Sequence, residues 1–287
     1  YYDSSGLRRQ KTEGPKGPDT EALKESWETG RENAKAQLAD LDAALKRQAA
    51  VNRVLGLGRA PAITAKILSA LDGAGVLGQG VRVAGTNAIF AYEVAAGAIV
   101  DAGVTATGDI DLLRDARRRL SIALAPEADD DGLLGILRRT DTSFVRQPQT
   151  FSATNRNGYS VDLIQPELSP PWSMERHPPR SPDDLRPVKL DGLQWLANSP
   201  QFETIAIDEK GFPFRIVTSD PRVFAAHKLW LSSQHGRDPV KRARDRAQAA
   251  VVARIVVRFL QHLPYEASEL RMLPRAVFEA ALPLFKD

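Results

Sequence analysis

Apolar residues recur with two different periods along this chain. From Asp19 to about Val54 the segment is charged and alanine-rich, with Leu38, Leu41 and Leu45 at steps of three and four. That spacing marks one stripe of a helix, which Asp19 or Thr20 is placed to cap. The run GLGRAP at 56–61 breaks it, and a second helix is expected over about 61–71. Residues 19–75 read as a helical extension packed on the core, without chemistry of its own. From about Val81 to Val217 the period changes to two, in VRVAG, ATGDIDLL, GYSVDLI, ETIAI and FRIVT. The last two flank Asp208-Glu209-Lys210-Gly211, a hairpin-turn composition. Helices are expected after Gly85 and between the second and third strands. This order predicts an α+β fold with a core over 76–219.

Asp220-Pro221 and Asp238-Pro239 each place a capping aspartate before a proline suited to the first helical position. The first helix, RVFAAHKLWLSSQH, is expected to end at Gly236 by a left-handed glycine stop. The second is basic at its start and apolar later, and a short helical region ending in AVFEAALPLF completes a C-terminal helical domain, 220–287. Residues 1–18 read as a hairpin or arm bearing Arg8, Arg9, Lys11 and Lys16, either a solvated ribbon or an arm that touches nucleic acid. Between the third and fourth strands, six prolines from Pro166 to Pro182 exclude regular structure. This loop begins just beyond Asp162 and could border a site, with Arg176, His177 and Arg180 meeting phosphate or merely solvent.

Composition narrows the chemistry. The 287 residues contain no cysteine and four scattered histidines, so thiolate sites are excluded and any metal should be a hard, oxygen-ligated ion such as magnesium or manganese. No apolar run approaches the roughly 20 residues of a membrane helix. The expected setting is the cytoplasm, with no membrane partner. A net charge of +3 permits nucleic-acid binding without arguing for it.

The acidic pair in TGDIDLL is the most specific signal. In an extended strand Asp109 and Asp111 project from one face while Ile110 and Leu112 bury on the other. Carboxylates so close repel unless a divalent cation lies between them. Upstream, VRVAGT reads as a strand that stops at Gly85 and enters a helix at Thr86, where backbone N–H groups are free for a phosphate. A phosphate cradle followed by paired acids suggests nucleotide chemistry. The alternatives are an edge strand with two solvated acids, or the paired acids of a glycosidase. The second is disfavoured by an aromatic content of only 7%.

Gly85-Thr86 followed by Asp109-Ile110-Asp111 resembles the signature of the polymerase-β-type nucleotidyltransferases, Gly-(Ser/Gly/Thr) and then Asp-x-Asp. The long gap between the two parts is similar to that of the bacterial toxin-like and abortive-infection (AbiEii-like) branches. The resemblance implies a small twisted mixed sheet of nucleotidyltransferase type and a third carboxylate on a neighbouring strand. GYSVDLIQP offers Asp162 for that place. It further implies that Asp109, Asp111 and Asp162 hold two magnesium ions, and that Gly85 and Thr86 hold the terminal phosphates. A helix lysine, matched by Lys228, and a basic-acidic motif, matched by Lys241, Arg242 and Asp245, would complete the nucleotide site. Taken without the resemblance, those helix charges read first as a solvated face of ordinary ion pairs, as charge runs usually are. His227 reads as a packed or surface histidine rather than a catalytic base.

The expected activity is therefore magnesium-dependent transfer of a nucleoside monophosphate from an NTP to a hydroxyl. The acceptor would be an RNA or tRNA 3′ end or a protein, in a toxin or defence factor with a possible cognate antitoxin. A non-catalytic nucleotide- or RNA-binding module on the same fold is the competing reading.

Overall fold

The computed structural model describes residues 15–115, 132–167 and 182–286. The basic arm apart from Lys16, and the proline-rich loop with Arg176, His177 and Arg180, lie outside the described residues. By contact the chain divides into two units.

The described part of the smaller unit is residues 15–59, most of them in α1 (Pro18–Val54), and the segment Ile207–Pro213. Gly17 precedes the helix, with Pro18 at its first position and Asp19 and Glu21 in the first turn, where acids suit the positive end of the helix dipole. Leu38, Leu41 and Leu45 do not pack: all three are exposed, and only Ala49 and Asn52 of this helix are buried. Asn52 Nδ2 donates to the carbonyl of Gly211 at 2.8 Å. At Gly211, φ is +87° and a Cβ would lie 2.1 Å from the Ala49 carbonyl oxygen, so only glycine admits this approach.

The larger unit is built on a mixed sheet. Its strands are β1 (Val81–Ala84), β2 (Asp109–Arg114), β3 (Val145–Arg146), β4 (Ser152–Thr154), β5 (Ser160–Pro166), β6 (Val188–Leu190), β7 (Gln201–Ile207) and β8 (Pro213–Ser219). The order is β3-β4-β5-β2-β1-β8-β7, with β6 pairing the far end of β5. β1 lies antiparallel to β2 and parallel to β8, while β2 and β5 are parallel. With helices α2 (Ala62–Gly73), α3 (Ile89–Ala96), α4 (Ala102–Thr105), α5 (Gly132–Thr140), α6 (Leu193–Asn198), α7 (Pro221–Ser233), α8 (Pro239–Phe259) and α9 (Arg275–Ala281), the architecture is α+β.

Alternation decides which face of the sheet is dry. Ile110, Leu112, Val161 and Leu163 are fully buried, while Asp109, Asp111 and Asp162 between them stay partly open. α2 buries Ala65, Ile67, Leu68 and Leu71 in the same core. Tyr92 of α3 sits edge-on to Phe202 and Phe224, with ring centroids 5.4 and 5.3 Å away, and its hydroxyl donates to the Ser219 carbonyl.

Both aspartate-proline signals begin helices as expected. Asp220 accepts from the Arg222 N–H, and Asp238 from those of Val240 and Lys241. The end of α7 differs from expectation. It stops at Ser233 with Gln234 extended, and Gly236 is not left-handed. The Gln234 N–H closes the helix on the Leu231 carbonyl at 3.1 Å, and the hydroxyls of Ser232 and Ser233 donate back to the carbonyls of Leu229 and Trp230.

Candidate functional site

The site begins where β1 ends. Gly85 has φ +59°, and a Cβ built there would fall 1.8 Å from Asp111 Oδ2. The carboxylate occupies the space a side chain would need, so residue 85 fits only as glycine while Asp111 lies against it. In the parallel pairing of β2 with β5, Asp111 faces Asp162 and Asp109 faces Ser160. The three carboxylates therefore leave one face of the sheet from two hydrogen-bonded strands.

A buried polar network fixes the entry to β2. Asn87 Nδ2 donates to the Asp109 carbonyl at 2.7 Å, and the Thr64 hydroxyl donates to Asn87 Oδ1. Thr64 also shares a 2.7 Å hydrogen bond with the Tyr159 hydroxyl, whose pKa burial pushes up to about 12. The Thr107 hydroxyl donates to Asp109 Oδ1. Burial, and then the charge of Asp109, push the Asp111 carboxyl up to about 6, against the pull of Lys228 and Lys241. Burial also raises Asp162, and Asp109 adds to it, while hydrogen bonding to Ser152 and the charge of Lys241 oppose the shift. These mutual effects place the acids within electrostatic reach of one another. Among the described residues, however, no three His, Asp or Glu side chains are gathered tightly enough to form a metal centre as they stand.

The basic helices meet this face unevenly. Lys228 on α7 donates to Asp245 Oδ1 at 2.8 Å, and Arg237 grips Asp245 Oδ2 at the same distance. Asp245 is only 2% exposed, so it anchors two cations rather than facing a ligand. Arg242 donates to the carbonyls of Gln234, His235 and Arg237, which makes it a staple of the α7–α8 loop. The structure thus brings Lys228 and Lys241 toward the acids but not Arg242. His227 is buried against Trp195 and Trp230, and desolvation followed by the charge of Lys228 lowers its pKa to about 3.

Three contributors were not singled out in the sequence. Gln248 of α8, fully buried, donates to Thr86 Oγ1 at 3.0 Å and to the Val104 carbonyl at 2.9 Å, which leaves the Thr86 hydroxyl proton free to donate. Arg244 donates to the Ala106 carbonyl and walls a cavity of about 580 Å³ that opens beside Asp109 and Asp162. The β3–β4 turn lines the same cavity with Gln147, Gln149 and Phe151. Within this turn Thr150 has φ +64°, the one non-glycine residue in the left-handed region among the described residues. It is held there by its own N–H to Gln147 O and by the Arg186 N–H to its carbonyl, both at 2.9 Å. None of the three contributors has a local sequence signal; only Thr107, two residues before the Asp109 it bonds, does.

Acids on paired strands, a glycine shaped around one of them and lysines converging from two helices suit the handling of a polyphosphate. A family model described as nucleotidyltransferase matches residues 62–274, most of the chain, and the chain belongs to that family of transferases. No curated protein and no solved structure gives a match. Among the described residues no helix is long and apolar enough to cross a membrane.

Proposed function

We propose that this chain transfers a nucleoside monophosphate from an NTP to a hydroxyl group, with magnesium or manganese held by Asp109, Asp111 and Asp162. The fit of Gly85 around the Asp111 carboxylate carries the reading, because it ties the phosphate-cradle glycine to the acidic strands. The donor set suits a hard divalent ion: every ligand is a carboxylate oxygen, and among the described residues no ion pair joins any of the three aspartates. When bound, such ions supply neutralisation of the triphosphate and activation of the acceptor oxygen.

The protein groups divide the remaining work. The Thr86 hydroxyl, oriented by Gln248, and the adjoining backbone N–H groups hold the terminal phosphates. The acceptor oxygen attacks the α-phosphorus, its proton passes to Asp162, and the bond to the bridging oxygen of pyrophosphate breaks. Lys228 and Lys241 stabilise the charge gathering on that pyrophosphate, where fixed cations act without reorganising. Asp245 holds the Lys228 ammonium in place.

The cavity on the Asp162 side receives the acceptor. One cation, two neutral amides and one aromatic ring match a terminal nucleotide, with its phosphate at Arg244 and its base beside Phe151 and the glutamines. An RNA 3′ end is the acceptor this lining favours. The test is incubation with each labelled NTP, magnesium, short RNAs and protein extract. Pyrophosphate release with label on RNA supports the whole reading. Label on protein overturns the acceptor, and NTP binding without pyrophosphate release marks a non-catalytic binding module.

A further inference from the structure

The stripe on α1 leads away from the acidic site. Trp27, Leu38, Leu41 and Leu45 are 63%, 66%, 61% and 45% exposed. A helix of 37 residues gains most of its stability from burying one face, yet only Ala49 and Asn52 of this helix are buried. The stripe has the period of a coiled-coil seam. Counting in sevens from Leu38 puts Arg31, Leu38 and Leu45 in one inner column and Trp27, Ala34, Leu41 and Gln48 in the other. Toward its C-terminal end the helix is already engaged by the turn at Gly211, through Asn52 and Ala49. Residues 31–48 are all exposed, and among the described residues none covers that stretch.

Charge selects both the occupant and its direction. Two copies laid parallel would set Arg31 against Arg31 at an inner position, and the flanking positions Gly30, Gln37 and Ala44 would offer no charge to the opposing helix. Laid antiparallel, Leu38 meets Leu41 of the second copy, Leu45 meets Ala34, and Arg31 meets the neutral Gln48. In the same register the flanking Lys35 falls beside Asp42 of the second copy, and the two-fold axis repeats that pair. Asp42 now holds only the exposed Lys46 of its own helix, at 2.6 Å, and its carboxylate can accept a second cation. The sequence of this face is thus complementary to itself in one orientation.

We propose that the chain self-associates through α1 as an antiparallel two-helix coiled coil centred between Leu38 and Leu41. The inference is independent of any catalytic activity. Sedimentation velocity of the full chain across a range of concentrations should show a dimer that Leu38→Glu shifts to monomer, while the cooperative thermal unfolding of the remainder of the chain is retained. Lys35→Glu should weaken the dimer by placing like charges together, and the double variant Lys35→Glu/Asp42→Lys should restore it. Because the chain has no cysteine, crosslinking reports direction cleanly. Under mild oxidation, mixed Lys35→Cys and Asp42→Cys chains should join to each other. A monomer at every concentration, a dimer indifferent to Leu38→Glu, or a Gln48→Cys chain that crosslinks efficiently to its own copy would each overturn the proposal.

Discussion

The acidic strands and the basic helices carry charge in opposite ways. On α7 and α8 the buried charges Lys228 and Asp245 answer each other, Asp245 also holding Arg237, and Arg242 is answered by three loop carbonyls. On β2 and β5 like charges face each other in register, and burial first, then the charge of Asp109, pushes the Asp111 and Asp162 carboxyls upward. A buried pair completed by hydrogen bonds holds two helices in one arrangement, whereas an unrelieved cluster of one sign costs stability and persists where a ligand is to relieve it. The helices are therefore read as the frame and the strands as the working surface.

The strongest way to break that contrast is Asp111→Asn. Transfer measured by pyrophosphate release should fall roughly a thousandfold or more. The midpoint of thermal unfolding at pH 7 should stay level or rise, because a repelling charge has gone. A fall in stability with activity retained would reverse the assignment of the two regions. Asp245→Ala should lower stability as well as activity, since it also releases the Lys228 ammonium. It strands Lys228 in a site where it is 7% exposed, and should destabilise the fold by about 3–5 kcal/mol in chemical denaturation. Gly85→Ala comes next. The left-handed backbone alone costs about 1–3 kcal/mol, and the new methyl must push the Asp111 carboxylate aside. Activity should fall further than stability, and equal losses would mean the glycine serves the fold alone.

The sequence disclosed these regions to different depths. β1, β2, β5, β7 and β8 were legible because each is long enough to alternate or to form a continuous apolar run. β3, β4 and β6 span only two or three residues, too few for either pattern. Asp162 could be placed on a strand from Val161 and Leu163, but its register against Asp111 is a tertiary fact. Gln248 and Arg244 carry no local mark, since they sit in a helix already crowded with polar side chains and their partners lie 162 and 138 residues away. The leucines of α1 show the reverse error. Their period is helical, but a period says only that a face is apolar, not what covers it.

The smallest expected effect separates the two regions by pH. Asp111 has a folded pKa near 6, above its ordinary value of 3.8, so the native state binds the extra proton between those limits. Acidification through that window therefore relieves the strands and adds stability. His227 is the mirror image: its folded pKa of about 3 lies below the ordinary 6.5. Its contribution is complete above pH 6.5 and drains away as pH falls toward 3, because the unfolded chain takes the proton first. Between about pH 4 and 6 the two slopes oppose, and the parent protein should show a shallow dependence. His227→Phe keeps an aromatic ring between Trp195 and Trp230 and removes the acid-labile group, so its stability relative to the parent should improve steadily from pH 6.5 down to 4. Asp111→Asn removes the opposing slope, and its advantage at pH 7 should vanish by pH 4. Denaturation midpoints of the three proteins across this range decide the matter. Parallel curves would mean that neither group titrates as its surroundings require.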